Sequence, residues 1–324
     1  MDVAVLHLGA NSFQLLHARV TSQWRVRRLS SAREIVRFGG RNTATGVIDD
    51  ASWSNGLDAV RRLRDSALHL GANRLVAVAT GAIRDAVNGA VFCAAVRRLH
   101  SVDVEVLSST QQTALAYRGA RSDVTCADDE PVAVLDVGAG YIYAAVGTGR
   151  EVLFSTSLPL GVERLHNAFA VGRLDEDGAE AMASVVRMSA QPLVAAVRKL
   201  RPTRMLFASG TARAVHRLAG EEPDSPLPRE LCRHDLVSAA TWAREASDRD
   251  LLERGVQPSR LSTAPIAVGI METLLDALGH DTITVVKSGM REGVALREAR
   301  TAAALGDSDS GVGQPEPYAA NGLD

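Results

Sequence analysis

Apolar positions along this chain follow two rhythms. Short apolar runs bounded by glycine or polar clusters predict strands, and apolar residues recurring every three or four positions predict helices. Two runs stand out. Residues 3–10 read VAVLHLGA and residues 132–139 read VAVLDVGA, six of eight positions matching at an offset of 129. Each is followed by a second apolar run, at 13–20 and 142–146. The pattern is a strand, a tight glycine turn and a returning strand, made twice. Its placement near the start of each half favours an internal duplication over chance.

Between and after the turns, strands and helices alternate. Trp53, Leu57, Val60 and Leu63 place a helix over 49–70. A strand at 74–80, a helix at 82–99, a strand at 102–107 and a helix at 111–119 follow. The second half predicts a strand at 152–158, a helix at 175–200, a strand at 205–208 and a helix at 211–218. Residues 220–229 are polar and proline-rich and read as a loop. Helices follow, including 264–278, then a strand at 282–286 and a last helix from 290 to about 304. From Gly306 the chain is poor in apolar residues and rich in Gly, Asp and Pro, the composition of a disordered tail over 306–324. Alternating strands and helices mean α/β layers.

Composition narrows the function classes. The 324 residues are 46% hydrophobic and 23% charged, with net charge -2, enough for two domains and without the polycation that nucleic acid or an anionic membrane requires. Lys199 and Lys287 are the two lysines; the other basic side chains are arginine, which suits phosphate recognition as well as many unrelated surfaces. Cys93, Cys126 and Cys232 lie far apart, without metal-ligand spacing or an even count for disulfides. The start lacks a signal-peptide pattern, and no run of ~20 apolar residues occurs. A cytoplasmic protein without nucleic-acid or membrane partners is expected.

A glycine turn between two strands aims backbone amides at one spot and makes an anion nest. Two such turns across a cleft would hold a phosphate chain and a metal. Here the segments resemble the motifs of a known family. HLGANSF at 7–13 is similar to its D-L-G-S-N-S-F, and ATGAIRDAVN at 79–88 to its A-T-x-x-x-R-x-A-x-N. LSSTQQTALAY at 107–117 takes the place of I-S-G-x-E-E-A-R-L-x-Y, and LDVGAGYIY at 135–143 that of I-D-I-G-G-G-S-x-E. SLPLG at 157–161, SGTARA at 209–214 and GMREG at 289–293 also match. Seven segments in order cover residues 3 to about 300, and the family they resemble is the exopolyphosphatase and guanosine pentaphosphatase (Ppx/GppA) family.

The resemblance implies a duplicated actin-like (ASKHA, ribonuclease H-like) α/β fold of two lobes around a cleft. Lobe I would hold 1–121 plus the returning helix at about 289–305, and lobe II 122–288. It also implies Mg²⁺-dependent hydrolysis of terminal phosphoanhydrides in polyphosphate or guanosine pentaphosphate. Such hydrolysis needs neutralised phosphate oxygens, an aligned water and a group to serve that water. The family's carboxylates for this are altered here. The Asp opening the first turn is His7, whereas the paired position in the second turn keeps Asp136. The family's catalytic Glu falls on Gln112, whose amide takes no proton near neutral pH. The Glu closing the second turn falls on Tyr143, the small Ser before it on Tyr141, and a Gly on Ala139.

Retained are the phosphate-binding positions Gly9, Asn11, Ser12, Arg84, Gly138, Gly140, Ser209, Gly210 and Thr211. By family role Arg84 would contact phosphate and Asp136 would carry one Mg²⁺, weakly or not at all. Arg291 and Glu292 would pack or pair at the start of the last helix, and His17, His69, His100 and His280 would fill core or surface. The expectation is a cleft with a degenerate active site. It binds a phosphate-rich ligand, polyphosphate or guanosine tetra- or pentaphosphate, or a protein partner, with little or no hydrolysis. The alternative is a working Mg-dependent exopolyphosphatase in which Gln112 orients water. His7, titrating near pH ~6.5, would tighten anion binding as pH falls. A homodimer is compatible with this reading.

Overall fold

The computed structural model describes residues 1–38, 46–170, 173–220 and 225–309. Strands β1 (Asp2–Leu8), β2 (Ser12–Val20) and β3 (Val26–Ile35) form an antiparallel meander. Helix α1 (Asp50–His69) leads to β4 (Leu75–Ala79), parallel to β1; α2 (Gly81–Arg84) and α3 (Gly89–His100) lead to β5 (Val104–Val106), parallel to β4. Helix α4 (Ser109–Arg121) then crosses to a second meander, β6 (Val132–Val137), β7 (Ile142–Gly147) and β8 (Val152–Leu158). Helices α5 (Val162–Phe169), α6 (Glu176–Ser189) and α7 (Gln191–Leu200) precede β9 (Arg204–Ala208) and α8 (Ser209–Leu218). The rest is β10 (Arg229–Cys232), α9 (Arg233–Glu245), α10 (Asp248–Glu253), α11 (Ala264–Leu278), β11 (Thr282–Val285) and α12 (Met290–Asp309).

The first sheet has the order β3-β2-β1-β4-β5 and the second β10-β11-β9-β6-β7-β8. Five strands of the second, β8-β7-β6-β9-β11, repeat the first, with β10 added at the edge. The hairpin registers repeat too. Val3 faces Ala18 and Leu8 faces Phe13; at the same offset of 129, Val132 faces Gly147 and Val137 faces Ile142. The duplication read from eight residues is thus a duplication of strand order and register, the arrangement of the actin-like fold.

Alternation along β1 explains why it is apolar throughout. Ala4, Leu6 and Leu8 pack with Val60 and Leu63 of α1 and Phe92 of α3, while Val3 and Val5 pack with Leu115 of α4 and Val294 of α12. On β6, Ala133, Leu135 and Val137 face one core and Val132 and Val134 another. The returning α12 is locked to α4 by glycines. A Cβ on Gly119 would lie 1.8 Å from Gly289 O, and one on Gly293 would lie 1.9 Å from Leu115 O. The helices cross backbone to backbone, which only glycine permits there. Among the described residues no helix is long and apolar enough to cross a membrane.

Several boundaries differ from the sequence reading. The helix expected over 82–99 breaks between α2 and α3, where the Asn88 side chain accepts from Ile48 N–H and donates to Ile48 O, both 2.9 Å. The helix expected over 175–200 breaks at Ala190 because Pro192 opens α7 and has no amide for the preceding turn. β3 and α5 lie in stretches without a predicted element, and β10 begins inside the expected loop. β3 is an edge strand whose burial alternates, and its polar sequence VRRLSSAREI hides that period. Helix α12 runs to Asp309, into the segment read as a disordered tail; residues 310–324 lie outside the described residues.

Candidate functional site

The first turn follows β1 at Gly9. A Cβ there would lie 3.1 Å from Ser12 O and 3.0 Å from His7 Cε1, a tight fit that its neighbours would have to relax by a few tenths of an ångström to accept. The amides of Gly9, Ala10 and Asn11 meet no protein acceptor among the described residues. Asn11 Nδ2 donates to Glu163 Oε1 on α5, tying the first turn to the second half of the molecule. Ser12 is buried in β2, its hydroxyl accepting from Gln14 Nε2 at 3.0 Å. His7 Nε2 is 2.9 Å from Thr80 Oγ1. Burial, and then the neighbouring Arg291 guanidinium, push His7 down to about 3. His7 is therefore neutral at physiological pH, and the expected titration near pH 6.5 does not occur: desolvation next to a cation disfavours the imidazolium.

The second turn is held from outside. Gly138 N–H donates to Tyr141 O at 2.9 Å, closing the turn. The first amides of α5 donate into it, Val162 N–H to Gly138 O (3.0 Å) and Glu163 N–H to Ala139 O (2.9 Å). A Cβ on Gly161 would lie 2.3 Å from Ala139 O, so Gly161 permits this docking. The Gly138 amide is consumed by the turn itself, while those of Ala139 and Gly140 have no protein acceptor among the described residues. Asp136, at the end of β6, faces Tyr143 across the hairpin. Burial raises the Asp136 carboxyl to about 6; a Ser209 hydrogen bond and Arg213 oppose this, and Glu292 adds to it. Ser209 itself sits at φ +96°, a strained setting for a residue with a Cβ. Its hydroxyl donates to Val137 O (3.3 Å) and accepts from Thr211 N–H (3.2 Å).

A third group gathers around Gln112 and Arg84. Gln112, buried on α4, accepts from Arg84 Nη1 at 3.4 Å. Arg84 also donates to Asp85 Oδ1 (3.0 Å) and Leu107 O (3.4 Å) and hydrogen-bonds Tyr143. Tyr141 stacks on Tyr143, ring centroids 5.9 Å apart, and its hydroxyl donates to Asp85 Oδ2 at 3.2 Å. Arg84 and Arg164 lie 5.7 and 5.4 Å from the Tyr141 ring centroid. Arg84, expected to face phosphate, is thus engaged by protein on several sides. The stack bridges the second turn to α2.

The sequence reading missed an arginine cluster. Arg213 on α8, Arg260 after α10 and Arg291 on α12 are half-buried and act on one another electrostatically, with Arg28 and Arg33 of β3 beside them. Desolvation, then like charge, holds Arg213 and Arg260 down to about 10 and lowers Arg291 as well. Arg260 Nη1 reaches Thr211 Oγ1 at 3.4 Å, and its Nη2 would lie 2.4 Å from a Cβ on Gly210, so Gly210 makes room for it. The side chains of Arg213 and Arg291 make no hydrogen bond among the described residues. Glu292 is spent on Arg28 (2.5 Å) and on the Gly289 amide (2.8 Å), so Arg291 and Glu292 part company rather than pair with each other. Arg213 and Arg291 lie within quoted motifs and were findable; Arg260 and Arg33 carry no local signal. Among the described residues no three His, Cys, Asp or Glu side chains gather as a metal set.

The chain is similar to proteins of known family. A profile of the Ppx/GppA phosphatase family matches residues 18–302. Exopolyphosphatase 1 of Mycobacterium tuberculosis is 24% identical over 308 residues, 92% of this chain and 88% of the relative. The guanosine-5'-triphosphate,3'-diphosphate pyrophosphatase of Aeromonas hydrophila is 23% identical over 295 residues, and this chain spans only 58% of its length. An exopolyphosphatase structure from Cytophaga hutchinsonii superposes with TM-score 0.83 at 22% identity, covering 93% of this chain and 98% of the other. An Aquifex aeolicus Ppx/GppA structure does so with TM-score 0.78, also at 22% identity, covering 93% and 98%.

Proposed function

The chain belongs to the Ppx/GppA phosphatase family, and from that premise we propose that it binds a phosphoanhydride chain in its cleft with little or no hydrolysis. The ligand class is polyphosphate or guanosine tetra- or pentaphosphate, in keeping with the names of its relatives. The observation that carries this is the set of half-buried guanidiniums Arg213, Arg260 and Arg291. Two of them lack a hydrogen bond among the described residues, and each acts electrostatically with a residue next to a turn that has unpaired amides: Arg291 with His7, Arg213 with Asp136 and Arg260 with Glu163. Burying mutually repelling cations costs stability unless an anion joins them, and phosphate oxygens match the guanidinium fork.

The donor set is poor for Mg²⁺, which wants oxygen ligands in octahedral array. His7 offers a neutral ring already turned to Thr80, Tyr143 a phenol that burial keeps neutral, and Gln112 an amide engaged by Arg84. Asp136 is the one carboxylate on the hairpin, and it carries a proton about half the time near pH 6. Arginines and backbone amides, rather than a metal, therefore hold the anion. Gln112 takes no proton near neutral pH, so a water aligned at that amide has no side chain there to give its proton to. Calorimetry with inorganic tripolyphosphate in EDTA, paired with phosphate release in Mg²⁺, tests this. Metal-free binding with release at background is expected. Robust Mg²⁺-dependent release would replace this reading by the exopolyphosphatase one.

A further inference from the structure

The glycine turns occupy one end of the two hairpin meanders. The turns at the other end, 21–25 between β2 and β3 and 148–151 between β7 and β8, also come together. Between them lies a cavity of about 540 Å³, walled as well by the end of α4, residues 122–128 and the outer side of α12. β2 is nine residues long and β7 six, so this cavity lies on the order of 20–30 Å from the glycine turns at ~3.3 Å per residue. The offset of 129 carries Thr21 onto Arg150. Equivalent turns of the duplication thus line both sites, the cleft with one pair and this cavity with the other.

The cavity is strongly basic in a protein of net charge -2. Arg25, Arg118, Arg121, Arg150, Arg297 and Arg300 line it, against Asp128 and Glu151, an excess of four cations. Little of that charge is met by protein carboxylates. Arg297 is paired with Glu105 at 2.6 and 3.0 Å. Arg25 instead donates to Ser122 O (2.7 Å) and Arg121 to Ala127 O (2.6 Å); carbonyls satisfy donors without cancelling charge. Arg121 Nε is buried with no partner. The side chains of Arg118 and Arg150, both exposed, meet no partner among the described residues. At the rim Arg300 lies 5.3 Å over the ring of Trp24, which is 38% exposed.

We propose that this cavity is a second anion site, for a phosphate-bearing ligand of nucleotide or short polyphosphate size. Unpaired guanidiniums at the wall give the fork that grips phosphate oxygens, and the volume falls in the range of small-ligand sites. The occupant would bridge Arg25 and Arg118 on the first half with Arg150 on the second, linking the two halves at the face away from the cleft. A nucleoside triphosphate and an inorganic chain share this phosphate chemistry. The indole of Trp24 would add a stacking surface only for the former.

The test uses the whole protein and Trp24 as reporter, with tripolyphosphate and GTP as probes in EDTA. A saturable change in tryptophan fluorescence is expected that Trp24→Phe abolishes. The double variant Arg118→Glu/Arg150→Glu should weaken it by about tenfold or more, ~1.4 kcal/mol. Both side chains are exposed and unpartnered, and an unchanged urea midpoint checks that the fold survives. The cleft variant Arg260→Ala should leave the Trp24 titration within about twofold, so failure here is distinct from failure of the cleft reading. Tighter GTP binding assigns the site to nucleotides, and tighter tripolyphosphate binding to the inorganic chain. The inference is overturned if Trp24 reports no saturable binding, or if the titration survives the double charge reversal or disappears in Arg260→Ala.

Discussion

Replacing Asp136 by Asn should stabilise the free protein at neutral pH. Burial raises this carboxyl from 3.8 to about 6, about two pH units, each worth about 1.4 kcal/mol. A raised acid binds protons that the unfolded chain has already released, so folding loses stability as pH rises from about 3.8 to about 6, and the deficit persists above. The full deficit is about 3 kcal/mol, and partial solvent access from the cleft trims it to about 1–3 kcal/mol. Asn keeps the shape of the protonated acid without the charge. Urea unfolding followed by circular dichroism, in phosphate-free buffer with EDTA, should show Asp136→Asn ahead by that amount at pH 7.5. By pH 4.5 the gap should shrink to about a third, because the folded wild-type carboxyl is then protonated. A destabilised variant at pH 7.5, or a gap that ignores pH, would falsify the premise that desolvation dominates. It would mean that Arg213 and Ser209 hold Asp136 as a carboxylate.

Four further outcomes follow from the geometry. Arg260→Ala should weaken tripolyphosphate binding in EDTA by roughly 1.5–3 kcal/mol, the range for hydrogen bonds to charged groups; unchanged calorimetry would place the anion elsewhere. That binding should tighten as pH falls through about 6, where Asp136 is protonated, and show no step attributable to His7, held at about 3; a profile that tightens with rising pH contradicts the arrangement. Gln112→Glu should leave Mg²⁺-dependent phosphate release near background, because Tyr143 and His7 still lack carboxylates, and a large gain would show that one base suffices. Gly293→Ala should cost about 1–3 kcal/mol or more in urea unfolding, since its methyl would meet Leu115 O across the α4–α12 crossing; a neutral effect would mean that the helices separate freely.

What the sequence determined by itself is local or repeated. The glycine turns, the identical hairpin spacing and the apolar strands β1 and β6 follow from short-range backbone and burial requirements, so eight residues at an offset of 129 announced the duplicated fold. His7 and Gln112 could be singled out from the chain for the same reason, because the motifs around them are contiguous. Tertiary structure decided the rest. The break between α2 and α3 depends on Asn88 meeting Ile48, forty residues away. The charge state of His7 depends on burial beside Arg291, and the engagement of Arg84 on Tyr141 and Tyr143 from the other half. The cluster of Arg213, Arg260 and Arg291 draws on three separate elements with no common motif. Electrostatics and desolvation act through space, and a chain pattern records which charges exist but not which are brought together away from water.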